Sequence, residues 1–268
     1  MPETTVEKLG VYYASFMNEK EVEMLGARPL APGLDAIRKV GTRSELARLV
    51  GTGQTSFQYS AFSLSIQPDA KDPTRFALTL DQGGLGMPDR DYYLKATFVA
   101  KKKAYQSYVA RMLGMVGWRD ADGLASKIVA FETKLAGVHW ARADLRDPDK
   151  TYNPRTLEAL AKEAPGFDWT AWLDGAGISV AQADAARIIV GEPSAITGQA
   201  RLIGETPLPV LQACPAFHLT NTAAPTLSSN FVAPPYDFNR KTIAGPPPPA
   251  APFNRPTPAP HRRPGLGM

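Results

Sequence analysis

The chain has 268 residues, of which 44% are hydrophobic and 21% charged, enough apolar material for one large or two small folded units. No apolar run approaches the roughly 18 residues of a membrane-spanning helix, and the polar start Met1–Thr5 lacks the apolar core of a secretory leader. The net charge of +4 resides wholly after Ala233, where Arg240, Lys241, Arg255, Arg262 and Arg263 face only Asp237, so the body carries no excess of basic charge for nucleic acid; the one cysteine, Cys214, excludes an intrachain disulfide and a cysteine zinc cluster.

In chain order, Val6, Leu9, Tyr13, Phe16 and Met17 fall on one side of a helix expected over residues 6–25, with Gly26 as its stop. Leu34, Ile37 and Val40 suggest a short helix. Thr42-Arg43-Ser44-Glu45 has capping-box spacing before Leu46, Leu49 and Val50, and Gly51-Thr52-Gly53 is expected to end that helix. Phe57 to Ile66 and residues 75–81 are rich in aromatic and branched side chains and flank the turn Pro68–Pro73, which predicts a hairpin.

The second strand runs into Gln82-Gly83-Gly84-Leu85-Gly86-Met87-Pro88-Asp89-Arg90-Asp91-Tyr92-Tyr93-Leu94. Gly83, Gly84 and Gly86 permit positive φ and close chain approach, and Pro88 suits a helix's first turn. The expected local structure is strand, structural turn, short helix. The run matches neither G-x-G-x-x-G nor the P-loop, so a nucleotide-binding enzyme is not supported.

A helical stripe over Thr97–Val116 includes Tyr105, Tyr108 and Met112, with Lys101-Lys102-Lys103 expected on its solvated side. Leu124, Ile128, Phe131, Leu135 and Val138 form one seam of the next helix. Asn153-Pro154 reads as a helix start, Asp168 as the cap of a helix carrying Trp169 and Trp172, Arg187–Val190 as a brief strand, and Pro193 onward as helix. Pro207, Pro209, Pro215 and Pro225 then break the helical pattern, at about 3 kcal/mol for each proline in a helix interior. The fold expected is mainly α: a multi-helix domain over 1–233 with one small β-hairpin, then a degraded or disordered Pro/Arg-rich tail over 234–268.

The glycine run resembles the Q-G-G-L-G-L-P-x-R-D-Y-Y segment of the neprilysin and endothelin-converting-enzyme family of zinc metallopeptidases. Gly10–Met17, Phe131–Ala136, His139-Trp140-Ala141-Arg142, Lys150–Pro154, Ala164–Trp169 and Tyr236–Gly245 match other family segments in order, so the likeness covers about residues 5–245. It implies the non-catalytic helical domain of such an enzyme, a bacterial one by its lack of disulfide cysteines. That domain would face the catalytic domain across a cavity that admits small peptides, with Arg90, His139 and Arg142 as candidate lining residues.

The family's zinc motif H-E-x-x-H does not occur; the histidines are His139, His218 and His261. No metal site or nucleophile is therefore expected in this chain, zinc is expected in the complete parent enzyme, and the isolated chain is expected to be inactive. Beside Trp140, His139 reads as a structural histidine. Cys214 and His218 are four apart, but Pro215 between them argues against a stable pairing on one helix. The expected partners are the catalytic domain and, in the parent, small peptides, with no nucleic acid and no membrane span. The competing reading is a stand-alone helical interaction module with a proline-rich contact tail.

Overall fold

The computed structural model describes residues 4–56 and 59–243. The N-terminal half runs α1 (Thr5–Met17), α2 (Glu19–Leu25), α3 (Ala31–Lys39), α4 (Arg43–Ser56), β1 (Phe62–Asp69), β2 (Asp72–Gln82), α5 (Asp91–Leu94), α6 (Val99–Met115) and α7 (Ala121–Val138). It continues with β3 (Asn153–Arg155), α8 (Leu157–Glu163), α9 (Trp169–Gly175), α10 (Val180–Ala186), β4 (Ile188–Val190), α11 (Pro193–Glu205), α12 (Leu208–Ala223), α13 (Ser229–Tyr236) and a π-helical stretch Asp237–Ile243. The mainly helical expectation holds. The proline-rich run from Pro246 lies outside the described residues.

The expected hairpin forms, with β1 antiparallel to β2 from Phe62↔Gln82 to Pro68↔Phe76. It belongs to a larger sheet of order β1-β2-β4-β3, in which β4 runs parallel to β2 (Leu78↔Ile188 to Leu80↔Val190) and antiparallel to β3. The strand at Ile188–Val190 is thus as expected, and all three of its residues are buried. Asn153-Pro154 is a correction: it lies in β3, and the helix behind it starts at Leu157, where the Thr156 hydroxyl accepts the Ala159 N–H at 3.1 Å.

Two aromatic groups anchor the core. Phe62, Phe167, Trp169 and Trp172 pack together, with 4.7 Å between the Phe62 and Trp169 rings. The α6 and α7 seams meet over the fully buried Met112, Leu113, Ile128 and Leu135, and Phe217 of α12 lies edge-on to Tyr105 and Tyr108.

Local signals failed where tertiary packing outweighed them. The helix over 6–25 is two helices, divided at Asn18, whose side chain accepts the Glu21 N–H at 3.3 Å. Its stripe is not a core face: Val6 is 78% exposed and Tyr13 64%. The Gly51–Gly53 break does not occur, because α4 continues to Ser56 and uses Gly51 to lie against the Trp172 carbonyl of α9, where a side chain would collide. The capping box ahead of it is as expected, with Glu45 accepting from Gly41 and Thr42 N–H groups at 2.7 and 3.0 Å.

Pro215 likewise stays inside an unbroken α12. Val210, Leu211, Ala213, Cys214, Ala216 and Phe217 are buried around it, and burial at about 25 cal/mol per Å² outweighs one lost hydrogen bond and the ring's clash. Of the three lysines, only Lys103 is fully on the solvated side: Lys101 Nζ donates to the Ile243 carbonyl and Lys102 Nζ to the Tyr93 carbonyl, each at 2.9 Å.

Candidate functional site

The turn that follows β2 is held from behind by a buried polar network. The Gly86 and Met87 N–H groups donate to the Tyr93 hydroxyl at 3.1 and 2.9 Å. That hydroxyl donates to Glu132 Oε2 at 2.6 Å, and the Tyr105 hydroxyl donates to Oε1 at 3.1 Å. His218 Nε2 lies 3.8 Å from Oε1, with its ring stacked on Tyr59. Burial, then the nearby Glu132, pushes both tyrosine hydroxyls well above their usual range and keeps them as donors. Glu132 is 1% exposed on α7, so one carboxyl group in the core fixes the position of a surface turn.

The glycines serve that geometry in two ways. Gly84 adopts φ +84°, where a side chain is strained. Gly86 has no positive φ; a Cβ there would run into the Tyr105 hydroxyl. Pro88 is not the first residue of the helix as expected. The helix starts at Asp91, after a turn in which the Asp89 carboxylate accepts the Asp91 N–H at 2.9 Å.

Contacts from the segments just after α7 and just before α11 complete the site. The Gln82 side chain donates to the Trp140 carbonyl at 3.2 Å and accepts the Trp140 N–H at 2.7 Å. Arg142 donates to the Pro88 carbonyl at 3.2 Å and pairs with Asp89 at 2.7 Å. Glu192, just before α11, accepts the Gln82 N–H at 2.8 Å.

These elements enclose a cleft of about 400 Å³ lined by Gly83, Gly84, Pro88, Arg90, His139 and Arg142, together with Asp81, Gln82, Trp140 and Glu192. A second cleft of about 500 Å³ shares Pro88, Asp89, Arg90 and Arg142. The candidate lining residues inferred from sequence therefore meet in one place, while Gly86 supports the turn from behind. Asp81, Trp140 and Glu192 were not singled out from sequence; the available signal for Glu192 was a lone acid between a buried strand and a helix-starting proline.

Electrostatically the cleft is mixed. Burial pushes the Glu192 carboxyl up to about 7, with the Asp81 charge adding to the rise and the Gln82 N–H opposing it. Burial also raises Asp81. His139 sits just past the end of α7, 6% exposed; burial, then the Arg90 guanidinium, lowers it to about 4, so it is neutral at physiological pH. Hydrogen bonding with the Gly83 backbone and the Gln199 side chain opposes the fall, and the Arg90 Nε is buried without a hydrogen-bond partner.

A zinc ion needs about three or four nitrogen, sulfur or oxygen ligands around one point. Among the described residues no group of three or more His, Cys, Asp or Glu side chains is placed to hold a metal ion, so these residues do not fit a zinc centre. Cys214 and His218 share the continuous α12, contrary to expectation, but burial pushes the thiol well above its usual range and makes it a poor nucleophile.

Comparison with known proteins gives a consistent picture. An N-terminal profile described as Peptidase family M13 matches residues 1–255. Rat endothelin-converting enzyme 1 is 28% identical over 213 residues, covering 75% of this chain and 28% of that protein. Drosophila melanogaster neprilysin-3 is 30% identical over 186 residues, covering 63% of this chain and 23% of the relative. The inhibitor-bound crystal structure of the Mycobacterium tuberculosis zinc metalloprotease ZMP1 superposes with a TM-score of 0.85 at 34% identity, covering 90% of this chain and 37% of that one. Its open state gives 0.83 at 33% identity, with 89% and 37% covered. The chain thus spans about a quarter of the curated relatives and little more than a third of the solved enzyme.

Proposed function

The chain belongs to peptidase family M13, corresponding to its N-terminal region, and from that premise we propose that it is the substrate-gating, non-catalytic part of a zinc endopeptidase that cleaves small peptides. The observation that carries the reading is the match of nearly the whole chain to 37% of a zinc metalloprotease, combined with the absence of H-E-x-x-H from its sequence. Zinc and the water it activates would then belong to polypeptide outside these residues. The cleft of Arg90, His139 and Arg142 would face the peptide chamber, the catalytic region would be its partner, and no step of the hydrolysis would use a side chain described above.

A glycine turn pinned from the core suits a chamber wall, because a preformed surface loses little entropy when a peptide lies on it. The test is complementation: the purified chain is mixed with the remaining C-terminal part of the M. tuberculosis enzyme and assayed with a fluorogenic peptide. Cleavage that needs both pieces supports the proposal; cleavage by the C-terminal piece alone that this chain leaves unchanged in rate and size selectivity contradicts it.

A further inference from the structure

The parallel pair β2 and β4 ends at one edge of the sheet, with Leu80 beside Val190. Past that point β2 stays paired with β1 through Asp81 and Gln82 while the β4 segment leaves the sheet at Gly191, and Asp81 and Glu192 both line the cleft. The crevice beyond the carboxyl ends of adjacent parallel strands is a recurrent place for ligands. Gly191 allows the close approach here, since a Cβ at that position would strike the Asp81 carboxyl group.

Among the described residues neither Asp81 nor Glu192 is paired with a cation; the ion pairs formed nearby are Arg142 with Asp89 and Lys95 with Asp91. Glu192 is only 4% exposed, and its hydrogen bond is to the Gln82 N–H. Two further features mark the cleft as a place for a ligand. Trp140 contributes to its lining, its indole N–H donating to Ser194 at 2.7 Å. His139, more than nine-tenths buried and next to the Gly83 backbone and the Gln199 side chain, forms part of the same wall.

Two carboxyl groups without a cation partner and an indole lining one cleft match a guanidinium or an ammonium group. The carboxyls accept forked N–H bonds, and the ring face attracts the cation. A divalent metal is the poorer match, because a third metal-ligating side chain is not in place among the described residues.

We propose that this cleft takes a basic side chain, arginine or lysine, of a peptide ligand, with Asp81 and Glu192 as acceptors and Trp140 as the aromatic wall. The assignment rests on the reading that peptides meet this face of the chain, and it adds a preference for their sequence. The charged and titratable groups around the bound cation are Asp81 from β2, Asp89 and Arg90 from the turn, His139 and Arg142 beyond α7, and Glu192 before α11. His139 stays neutral and Arg142 is balanced by Asp89. Arg90 is the unneutralised cation of the lining, and it is shared with the second cleft. Deprotonating Glu192 strengthens the site, so affinity for a basic peptide rises by up to about tenfold between pH 6 and pH 8.

The experiment titrates the chain with N-acetylated, C-amidated tetrapeptides that differ at one position, arginine, citrulline or glutamate, read by NMR shifts at Gln82, Gly83 and Gly191. The arginine peptide is expected to bind at least fivefold tighter than the citrulline peptide at pH 8, with the advantage reduced at pH 6 and in both Glu192→Gln and Asp81→Asn. Glu192→Gln keeps an acceptor for the Gln82 N–H, and Asp81→Asn tests the pair if that variant does not fold. Equal binding of arginine and citrulline peptides, or tighter binding of the glutamate peptide, overturns the proposal and leaves the peptide-facing reading intact. Failure of all three to bind at millimolar concentration overturns both.

Discussion

Replacing Tyr93 by phenylalanine removes one oxygen and tests whether the core positions the glycine turn. The hydroxyl accepts the Gly86 and Met87 N–H groups and donates to Glu132. Gly86 is exposed, and its N–H regains water. Met87 and Glu132 are 3% and 1% exposed, so the Met87 N–H and Glu132 Oε2 stay buried without a partner. Each such group costs about 1–3 kcal/mol, and the ring keeps its packing, so the two together should cost about 2–6 kcal/mol. That is a large share of a typical total stability of about 5–15 kcal/mol. Tyr105→Phe frees only Glu132 Oε1 and should cost about 1–3 kcal/mol. Urea unfolding followed by fluorescence of the buried Trp169 and Trp172 reads both; at an m-value of about 3 kcal/mol/M the Tyr93→Phe midpoint falls by about 0.7–2 M. A Tyr93→Phe loss below about 1 kcal/mol, or one smaller than that of Tyr105→Phe, would refute the reasoning.

Gly84→Ala should destabilise by more than about 1 kcal/mol through its positive φ and the Ala61 backbone 3.2 Å from a new Cβ, whereas Gly137→Ala, with open space in the last turn of α7, should be neutral or stabilise by up to about 1 kcal/mol; the same urea titration measures both. Leu9→Ala and Tyr13→Ala on the exposed α1 should change stability by less than about 0.5 kcal/mol. Glu192 and His139 give opposite pH slopes. An acid raised to about 7 holds its proton more tightly when folded, so its contribution is full below the unfolded value of 4.5 and is lost as pH rises to 7. A histidine lowered to about 4 contributes above the unfolded value of 6.5 and is lost as pH falls to 4. Relative to the parent chain, stability of Glu192→Gln should therefore rise with pH between about 4.5 and 6.5, and that of His139→Gln should fall; parallel pH profiles for all three proteins would contradict the assigned shifts.

Legibility from sequence followed the range of the interaction. Thr42–Glu45, Asp168 and the seam Leu124–Leu135 depend on neighbours within one or two turns, and they were readable. The continuity of α4 through Gly51 and of α12 through Pro215 depends on surfaces contributed by distant residues, so local propensity misjudged both. Asn153–Arg155 pairs with a strand 35 residues later in register, which a cap-and-proline signal cannot reveal. The exposed stripe of α1 shows the converse: helical spacing of apolar residues fixes a face, not what covers it. At the site, family likeness pointed to Arg90, His139 and Arg142, while Asp81 and Glu192 become neighbours only through parallel pairing of β2 with β4.

The most direct test of the central claim measures zinc and peptidase activity on the same purified chain. After dialysis against trace zinc, metal content per chain is determined by mass spectrometry, and cleavage of a fluorogenic peptide is followed with and without chelator. The account predicts well under one zinc per chain and no chelator-sensitive cleavage, with activity gained only when the C-terminal part of an M13 enzyme is added. One bound zinc per chain together with chelator-sensitive cleavage by the chain alone would contradict it.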